Sequence, residues 1–227
     1  MSKPITITRE IFQVGGYGLT APEDAAIYLI HFDGHAALVD AGTGRGQAQL
    51  LDQVKKTGAR PEHIDFLLLT HCHYDHTGGA FGLREKLGCP VIAHQLDADF
   101  LERGDHEVTA ASWYGAKLQP CPVDRRLSGA GQNLPLGERT ITALHIPGHS
   151  PGSLAFLVES DNQSVLFAQD VHGPLDARLL SNRGDYLASL NRLLALEADI
   201  LCEGHYGIFR GKEAVADFIR TFLDMDS

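Results

Sequence analysis

The segment from residue 64 to residue 76 reads IDFLLLTHCHYDH and joins an apolar run to a cluster of ionisable side chains. Its first part, Ile64 to Thr70, has the length and composition of a buried strand. The cluster that follows contains His71, His73, Asp75 and His76. A random chain of this composition would contain that HxHxDH pattern about 0.003 times, so chance is a poor explanation for it.

The spacing of these four residues determines how they can act together. His71 and His73 are two residues apart, so on extended backbone they point the same way and can reach one ion. Asp75 and His76 follow where the chain turns into two glycines, and a turn can direct both toward a second ion. Imidazole and carboxylate ligands suit zinc, and also iron or manganese. The spacing favours metal binding over a polar loop of solvated histidines.

Three further candidate ligands follow apolar segments elsewhere in the chain. His149 lies in the sequence PGHSPG, where proline and glycine fix a tight turn after a predicted strand. Asp170 ends the apolar run that begins at Val165, and its carboxylate is placed to bridge two cations. His205 follows a short apolar segment that ends at Cys202. Each residue is ambiguous alone, but together they supply nitrogen and oxygen ligands from separate strand ends.

Around this cluster the chain alternates strand and helix patterns. Strands are predicted at 26–32, 36–40, 64–70, 90–93, 139–146, 153–158, 164–168 and 199–202. Helices are predicted at 45–57, 79–87, 186–196 and 212–223. Residues 95–121 show no clear pattern and are expected to form helices that cover or border a site. The pattern predicts an α+β fold with α and β layers around mixed sheets, in a single domain spanning residues 1–227.

Composition excludes several classes of protein. The 227 residues are 44% hydrophobic and 21% charged, which is ordinary for a globular chain and argues against extensive disorder. A net charge of −10 disfavours a nucleic-acid partner, and the apolar runs are too short to span a membrane. The four cysteines form no CxxC pair, and the N-terminal sequence has no export segment. We therefore expect a cytoplasmic protein that acts on a small-molecule substrate.

The motifs together resemble the metallo-β-lactamase-fold hydrolase superfamily. The resemblance runs from Asp40 through the HxHxDH loop to Gly204-His205 and covers most of the chain. It implies a four-layer αββα sandwich with a metal site at one edge of two sheets, supported by Asp40. It also implies the metal ligands. His71, His73 and His149 would hold a first ion; Asp75, His76 and His205 would hold a second; Asp170 would bridge them.

Departures from the superfamily's patterns narrow the choice of branch. A histidine at position 73 and the lack of a following flavodoxin-like domain disfavour the oxygen-reducing flavodiiron branch. Asp170 stands where common antibiotic-degrading members have cysteine, which disfavours β-lactam hydrolysis. No tyrosine clearly matches the one that assists acyl-homoserine lactonases. A glyoxalase II-like or lactonase-like branch fits best, without a choice between them.

The resulting hypothesis is a metal-dependent hydrolase of an ester, thioester or lactone, using a hydroxide that bridges two divalent ions, most simply zinc. Asp75 would also be catalytic by relaying a proton to the leaving group. Two alternatives stay open, namely an iron-dependent oxygenase or oxidoreductase on the same fold and a binding protein with a structural metal.

Several other residues have expected positions but no assigned role. His172 follows the predicted bridging residue by two positions and is expected to face the substrate or a surface loop. Trp113 and Tyr114 are expected either to line an apolar pocket or to pack in the core. His145 is expected to be packed near the site. His94, with the other scattered histidines, is expected on the surface or in a loop.

Overall fold

The computed structural model describes residues 2–224, whose strands form two sheets. The first sheet contains, in spatial order, β1 (Ile5–Thr6), β2 (Ile11–Gly15), β3 (Ile27–Phe32), β4 (His35–Val39), β5 (Ile64–Leu68), β6 (Val91–His94) and β7 (Arg125–Leu127). The second contains β8 (Gly131–Leu136), β9 (Arg139–His145), β10 (Leu154–Ser160), β11 (Gln163–Phe167), β12 (Ile200–Cys202) and β13 (Ile208–Arg210), ordered β13-β12-β11-β10-β9-β8. The helices are α1 (Gln47–Lys56), α2 (Tyr74–Thr77), α3 (Ala80–Leu87), α4 (Gln95–Arg103), α5 (Arg183–Leu194) and α6 (Lys212–Asp224).

Alternation of side chains along the strands explains why the two sheets stack. In β3, Tyr28 and Ile30 belong to the apolar layer between the sheets, whereas Leu29 packs on the opposite face. Phe156 and Phe167 of the second sheet join that layer, and the ring centroids of Tyr28 and Phe167 are 5.4 Å apart. Successive side chains of a strand point to opposite faces, so both faces of this sheet are apolar and both must be covered.

Helices cover the two outer faces. Leu50 of α1, Leu83 of α3 and Leu101 of α4 pack together against the first sheet. Leu190 of α5 and Ile219 of α6 pack against the second sheet. The architecture is therefore the four-layer αββα sandwich that the resemblance implies, and it contains the α and β layers that the sequence pattern predicts.

The predicted strands and helices are present to within a few residues at each end, but the sequence analysis missed five short strands, namely β1, β2, β7, β8 and β13. Strand β8 shows why, since Gly131 and Pro135 interrupt its pattern and it lies at a sheet edge, where both residues are tolerated. Residues 95–121 contain α4 and a 3-10 helix, Ala111–Tyr114. The predicted turn after His73 contains the single helical turn α2.

One edge of the sandwich collects the ends of several strands. The pairs β4–β5 and β11–β12 are parallel, so their carboxyl ends lie at the same edge of each sheet. Two backbone hydrogen bonds join the sheets there: Leu154 N donates to Thr70 O at 2.6 Å, and Ala26 N donates to Gly204 O at 2.8 Å. Among the described helices, none has the length and apolar character needed to cross a membrane.

Candidate metal centre

The HxHxDH segment begins at the carboxyl end of β5 and leads into α2. His73 keeps extended backbone (φ −68, ψ 148) at the start of that helical turn, as the spacing argument requires. The ring centroids of His71 and His73 are 4.5 Å apart. Thr77 Oγ1 donates to the carbonyl oxygen of His73 at 2.9 Å, which holds the loop on the helix. The loop is buried, so its polar side chains need partners.

The structure brings all seven predicted ligands together, in two groups. The first group consists of His71, His73, His149 and Asp170, all buried. The second group consists of Asp75, His76 and His205, of which His205 is the exposed member. Within each group, one potential ligand atom from every residue lies within 4.8 Å of the others. Each group therefore has the composition and spacing of an ion site.

Asp170 joins the two groups through its two carboxylate oxygens. Oδ2 lies 3.2 Å from His149 Nε2 and 3.7 Å from His71 Nε2, both in the first group. Oδ1 lies 3.2 Å from His76 Nε2 and 3.4 Å from His205 Nε2, both in the second group. One carboxylate thus offers one oxygen to each group, which is the arrangement of a bridging ligand.

Buried polar atoms in the centre lack hydrogen-bond partners. His71 Nε2, His76 Nε2 and Asp170 Oδ1 are all buried and make no hydrogen bond of acceptable geometry. Such orphaned atoms cost free energy unless another group satisfies them, so several in one place require an explanation. Divalent ions between the groups would satisfy them, and the donor set fits zinc, iron or manganese.

Other residues fix the orientation of the candidate ligands. His76 Nδ1 lies 2.8 Å from Asp40 Oδ2, and Asp40 also accepts hydrogen bonds from the backbone and hydroxyl of Thr70. His149 Nδ1 donates to the carbonyl oxygen of Pro174 at 2.9 Å. Metal-binding histidines commonly donate their second ring nitrogen to a carboxylate or carbonyl in this way. The supporting position of Asp40 agrees with the resemblance.

Asp97, near the start of α4, connects the loop that carries His71 and His73 with the loop that carries His149. The sequence analysis did not identify it. Its carboxylate accepts from Cys72 N at 2.9 Å, from Ser150 Oγ at 2.6 Å and from Gly152 N at 2.7 Å. The side chain is buried, which raises its pKa despite these hydrogen bonds. No local motif marks such a residue, because its partners come from distant parts of the chain.

Backbone geometry at the strand ends makes room for the bridging carboxylate. Asp170 has φ +55 and Asp40 has φ +66, left-handed conformations that non-glycine residues seldom adopt outside turns and functional sites. A Cβ atom on Gly204 would lie 2.6 Å from Asp170 Oδ1. Glycine before His205 is therefore required for close approach to Asp170.

Burial dominates the electrostatics of two histidines of the first group, His71 and His73. It lowers the pKa of His71 well below its ordinary value, and neighbouring His76 and His73 add to the effect. The pKa of His73 falls to about 3 for the same reason, with a contribution from His149. Both rings are therefore neutral at pH 7, the form that binds a metal.

Carboxylates reverse this effect in the second group. Burial alone would lower the pKa of His205, but Asp170 and Asp75 outweigh it and raise that pKa to about 10. His76 also has a raised pKa, because Asp170, Asp75 and Asp40 surround its buried ring. Burial would raise the pKa of Asp75 and of Asp170, yet His76 and its neighbouring imidazoles hold both below the ordinary value. These pKa shifts favour ion pairs between protonated imidazoles and the two carboxylates when the group holds no metal ion.

A small cavity opens onto both groups. It has a volume of about 160 Å³ and is lined by ligand residues together with Trp113, Tyr114, His172 and Leu179. Trp113 and Tyr114 thus both line a cavity, and Tyr114 also packs against the core of the first sheet, with its ring centroid 5.5 Å from that of Tyr74. A second cavity of about 600 Å³ shares His172 with the first and extends to Tyr206 and Phe222.

The prediction for His94 is wrong. Its side chain is buried, and its ring stacks on that of His145 with centroids 3.8 Å apart and 10° between the planes. His94 ends β6 and caps α4, accepting a hydrogen bond from Leu96 N at 3.4 Å. A strand end that starts a helix lies inside the sandwich rather than on its surface. His145 is packed as expected, with Nε2 donating to the carbonyl oxygen of Pro151 at 2.9 Å.

An αββα sandwich with two histidine and aspartate groups at one sheet edge defines the class of metallo-β-lactamase-fold proteins. Comparison of the sequence with family models agrees, because the model described as "Metallo-beta-lactamase superfamily" matches residues 21–205. The chain belongs to that superfamily. It is accordingly a hydrolase by family, with groups that can hold metal.

Individual relatives indicate the range of activities in this part of the family. The chain is 31% identical over 213 residues to acyl-coenzyme A thioesterase MBLAC2 of Gallus gallus, covering 82% of this chain and 73% of the relative. It is 31% identical over 186 residues to hydroxyacylglutathione hydrolase GloC of Haemophilus influenzae, covering 77% and 81%. The structure of BJP-1, a subclass B3 metallo-β-lactamase of Bradyrhizobium japonicum, superposes with a TM-score of 0.79 at 23% identity, covering 99% and 92%. The similarity to BJP-1 shows a shared fold and nothing further.

Proposed function

We propose that this protein hydrolyses a thioester, using two zinc ions held by the first and second groups. The observation that carries the proposal is the division of the Asp170 carboxylate between His149 on one side and His76 on the other, at 3.2 Å each. A single carboxylate between two imidazole sets favours paired ions over one isolated ion. When bound, such a pair lowers the pKa of a shared water to near neutrality and polarises a carbonyl group.

The chain's own residues contribute position and proton handling. His71 and His73 present neutral nitrogens from a buried loop, and the buried ring of His149, on another loop, has its centroid 4.8 Å and 4.5 Å from theirs, so an ion there needs no large rearrangement. Asp75 lines the small cavity, and its Oδ2 is 3.2 Å from His205 Nε2. Its carboxylate is thus placed to pass a proton to the leaving group of a substrate in that cavity. Tyr114 lines the same cavity as Asp75.

The surroundings and relatives favour a thioester among acyl substrates. Two relatives of similar identity are named for acyl-coenzyme A and hydroxyacylglutathione, both of which are thioesters. Trp113 and Leu179 give the small cavity an apolar wall for an acyl group. The adjoining cavity of about 600 Å³ offers space for the thiol portion. Oxygen esters and lactones present the same carbonyl chemistry and are the nearest alternatives.

The test is a hydrolysis assay on the full chain reconstituted with zinc. The panel contains short and long acyl-coenzyme A thioesters, an S-acylglutathione, a p-nitrophenyl ester and a homoserine lactone. We expect thioesters to give a kcat/KM at least about tenfold above the ester and lactone, a difference of about 1.4 kcal/mol in transition-state stabilisation. The matched control is His106→Ala, which removes an exposed histidine outside both groups and should leave the rates unchanged.

Two results would overturn the proposal. Equal or greater activity on the lactone would assign the site to lactone hydrolysis instead. Oxygen consumption by iron-loaded protein, without hydrolysis of any panel member, would assign it to an iron-dependent oxygenase, because the ligand set also suits iron. Metal analysis of protein grown with limiting zinc or limiting iron accompanies both assays.

A further inference from the structure

His172 lies beside the metal centre but belongs to neither of its two groups. It follows Asp170 by two residues, and its side chain is 15% exposed. It lines both the small cavity and the larger one, so it stands at their junction. Its ring centroid is 5.3 Å from that of His205. A histidine in this place contacts whatever occupies the cavities.

A buried carboxylate fixes the orientation of His172. Glu203 is fully buried, and its Oε1 lies 2.7 Å from His172 Nδ1. Its Oε2 accepts hydrogen bonds from the backbone nitrogens of His205 at 2.7 Å and Tyr206 at 2.9 Å. Three donors thus hold this carboxylate in place. The same residue that orients His172 also shapes the loop that carries His205.

This orientation leaves one ring nitrogen of His172 available. Because Nδ1 donates its hydrogen to Glu203, the neutral ring has its lone pair on Nε2. Carboxylate–histidine pairs of this kind are typical of metal ligands, in which the carboxylate fixes the tautomer and increases the basicity of the free nitrogen. One potential ligand atom each from Asp170, His172 and His205 lies within 4.8 Å of the others. We name these three residues the third group.

We propose that the third group is a further ion position, which the second ion can occupy in place of the second group. The two positions share His205, and Asp170 borders both, so they would hold one ion in alternative places rather than one ion each. In the third group His172 replaces Asp75 and His76. An ion held by the third group would leave the Asp75 carboxylate free and would be bound by His172, which lines both cavities. The inference adds a ligand to the paired-ion site on which the proposed function rests.

The experiment is a titration of metal-free protein with Co²⁺, whose visible absorption reports ligand number and type. Four proteins are compared: the unaltered chain, His172→Ala, Glu203→Gln and the control His106→Ala. Because the second group still holds the ion in their absence, we expect His172→Ala and Glu203→Gln to change the spectrum of the second equivalent of Co²⁺ and to weaken its binding by at least about twofold. The first equivalent should bind unchanged in all four proteins.

A second equivalent whose affinity and spectrum are unchanged in His172→Ala would overturn the proposal. Unfolding of the metal-free proteins is measured in parallel, and His172→Gln serves as a second variant that keeps the size of the side chain if the alanine variant folds poorly. The titration uses no substrate, so its outcome is independent of thioesterase activity. Full activity with an unchanged titration would therefore reject the third group alone, and normal titration effects without hydrolysis would reject the thioesterase alone.

Discussion

The first and second groups occupy the same edge of the sandwich but differ in charge. His71 and His73 are buried among other imidazoles, and their pKa values fall well below the ordinary value. His76 and His205 are surrounded by carboxylates, and their pKa values rise, that of His205 to about 10. The difference comes from neighbouring charge rather than from residue type, because both groups use the same imidazole ring.

This contrast implies an order of filling. His71 and His73 of the first group present neutral nitrogens at pH 7, so an ion binds there without displacing protons from either ring. The second group binds an ion only after losing protons that Asp75 and Asp170 stabilise. The first ion should therefore bind more tightly and with little dependence on pH, and the second more weakly and with strong dependence on pH.

The largest effect is expected from removing the first group. The double variant His71→Ala and His73→Ala should lose the first ion and with it hydrolysis, because the neutral nitrogens that bind first are gone. Elemental analysis of the purified variant, together with the thioester assay, measures both. Activity close to that of the unaltered chain in a metal-free double variant would contradict the mechanism.

The pH dependence of ion binding compares the two groups directly. The pKa of His205 is about 10. Below that pH, an ion that displaces one proton from the second group binds about tenfold more tightly for each unit by which the pH rises. Between pH 6 and pH 8 the second dissociation constant should fall at least about a hundredfold, while the first changes little. Calorimetric titration in two buffers of different ionisation enthalpy counts the protons released. Release of the same number of protons on both binding steps would show that the two groups do not differ in protonation.

Asp40 provides a finer comparison of the two groups, because its carboxylate contacts His76 of the second group directly but reaches His71 of the first group through the Thr70 hydroxyl. Its Oδ2 lies 2.8 Å from His76 Nδ1. Asp40→Asn should weaken the second ion about 10 to 100 times and leave the first unchanged. A titration in competition with a chelator measures the dissociation constants of both ions. An equal loss of affinity at both binding steps would show that Asp40 acts on the whole centre.

The smallest expected effect is on the pH dependence of stability, and it comes from a buried histidine outside the metal centre. His94 stacks on His145, and burial lowers its pKa to about 4, as burial lowers that of His73. Between pH 6.5 and pH 4 the unfolded chain takes up a proton that the folded chain refuses, so stability falls as the pH falls. His94→Asn keeps the helix cap and removes this effect.

The measurement for His94 is the free energy of unfolding of metal-free protein at pH 7 and pH 5. The unaltered chain should lose about 1 kcal/mol more than His94→Asn over this interval. Equal losses in the two proteins would show that burial does not set the protonation of His94, and would weaken the same argument for His71 and His73.

The candidate ligands could be recognised in the sequence because each follows a strand pattern and carries metal-binding chemistry, and the structure brings them together. Strands of apolar residues and ends marked by glycine or proline are local signals, so β5 and the loops with His149 and His205 could be recognised. The α and β layers also followed, because strand and helix patterns alternate along the chain. The αββα arrangement itself came from the resemblance rather than from periodicity.

The supporting residues could not be predicted, because their roles depend on contacts across the chain. Asp97 bonds residues on two loops, one 25 and one 53 positions away. Glu203 reaches His172 over 31 positions. Nothing in the sequence around Asp97 or Glu203 distinguishes a buried carboxylate that orients other residues from an ordinary surface carboxylate. His94 was misplaced for the same reason, since its burial depends on the distant strand that carries His145.

The central claim is that Asp170 stands between two ions. A crystal structure of the zinc-loaded chain, with anomalous differences collected on both sides of the zinc edge, tests it most directly. The account predicts two zinc peaks about 3.5–4 Å apart, with His71, His73 and His149 around one, His205 beside the other, and an Asp170 oxygen facing each. A single peak at full zinc loading, or two peaks that both lie away from Asp170, would contradict it.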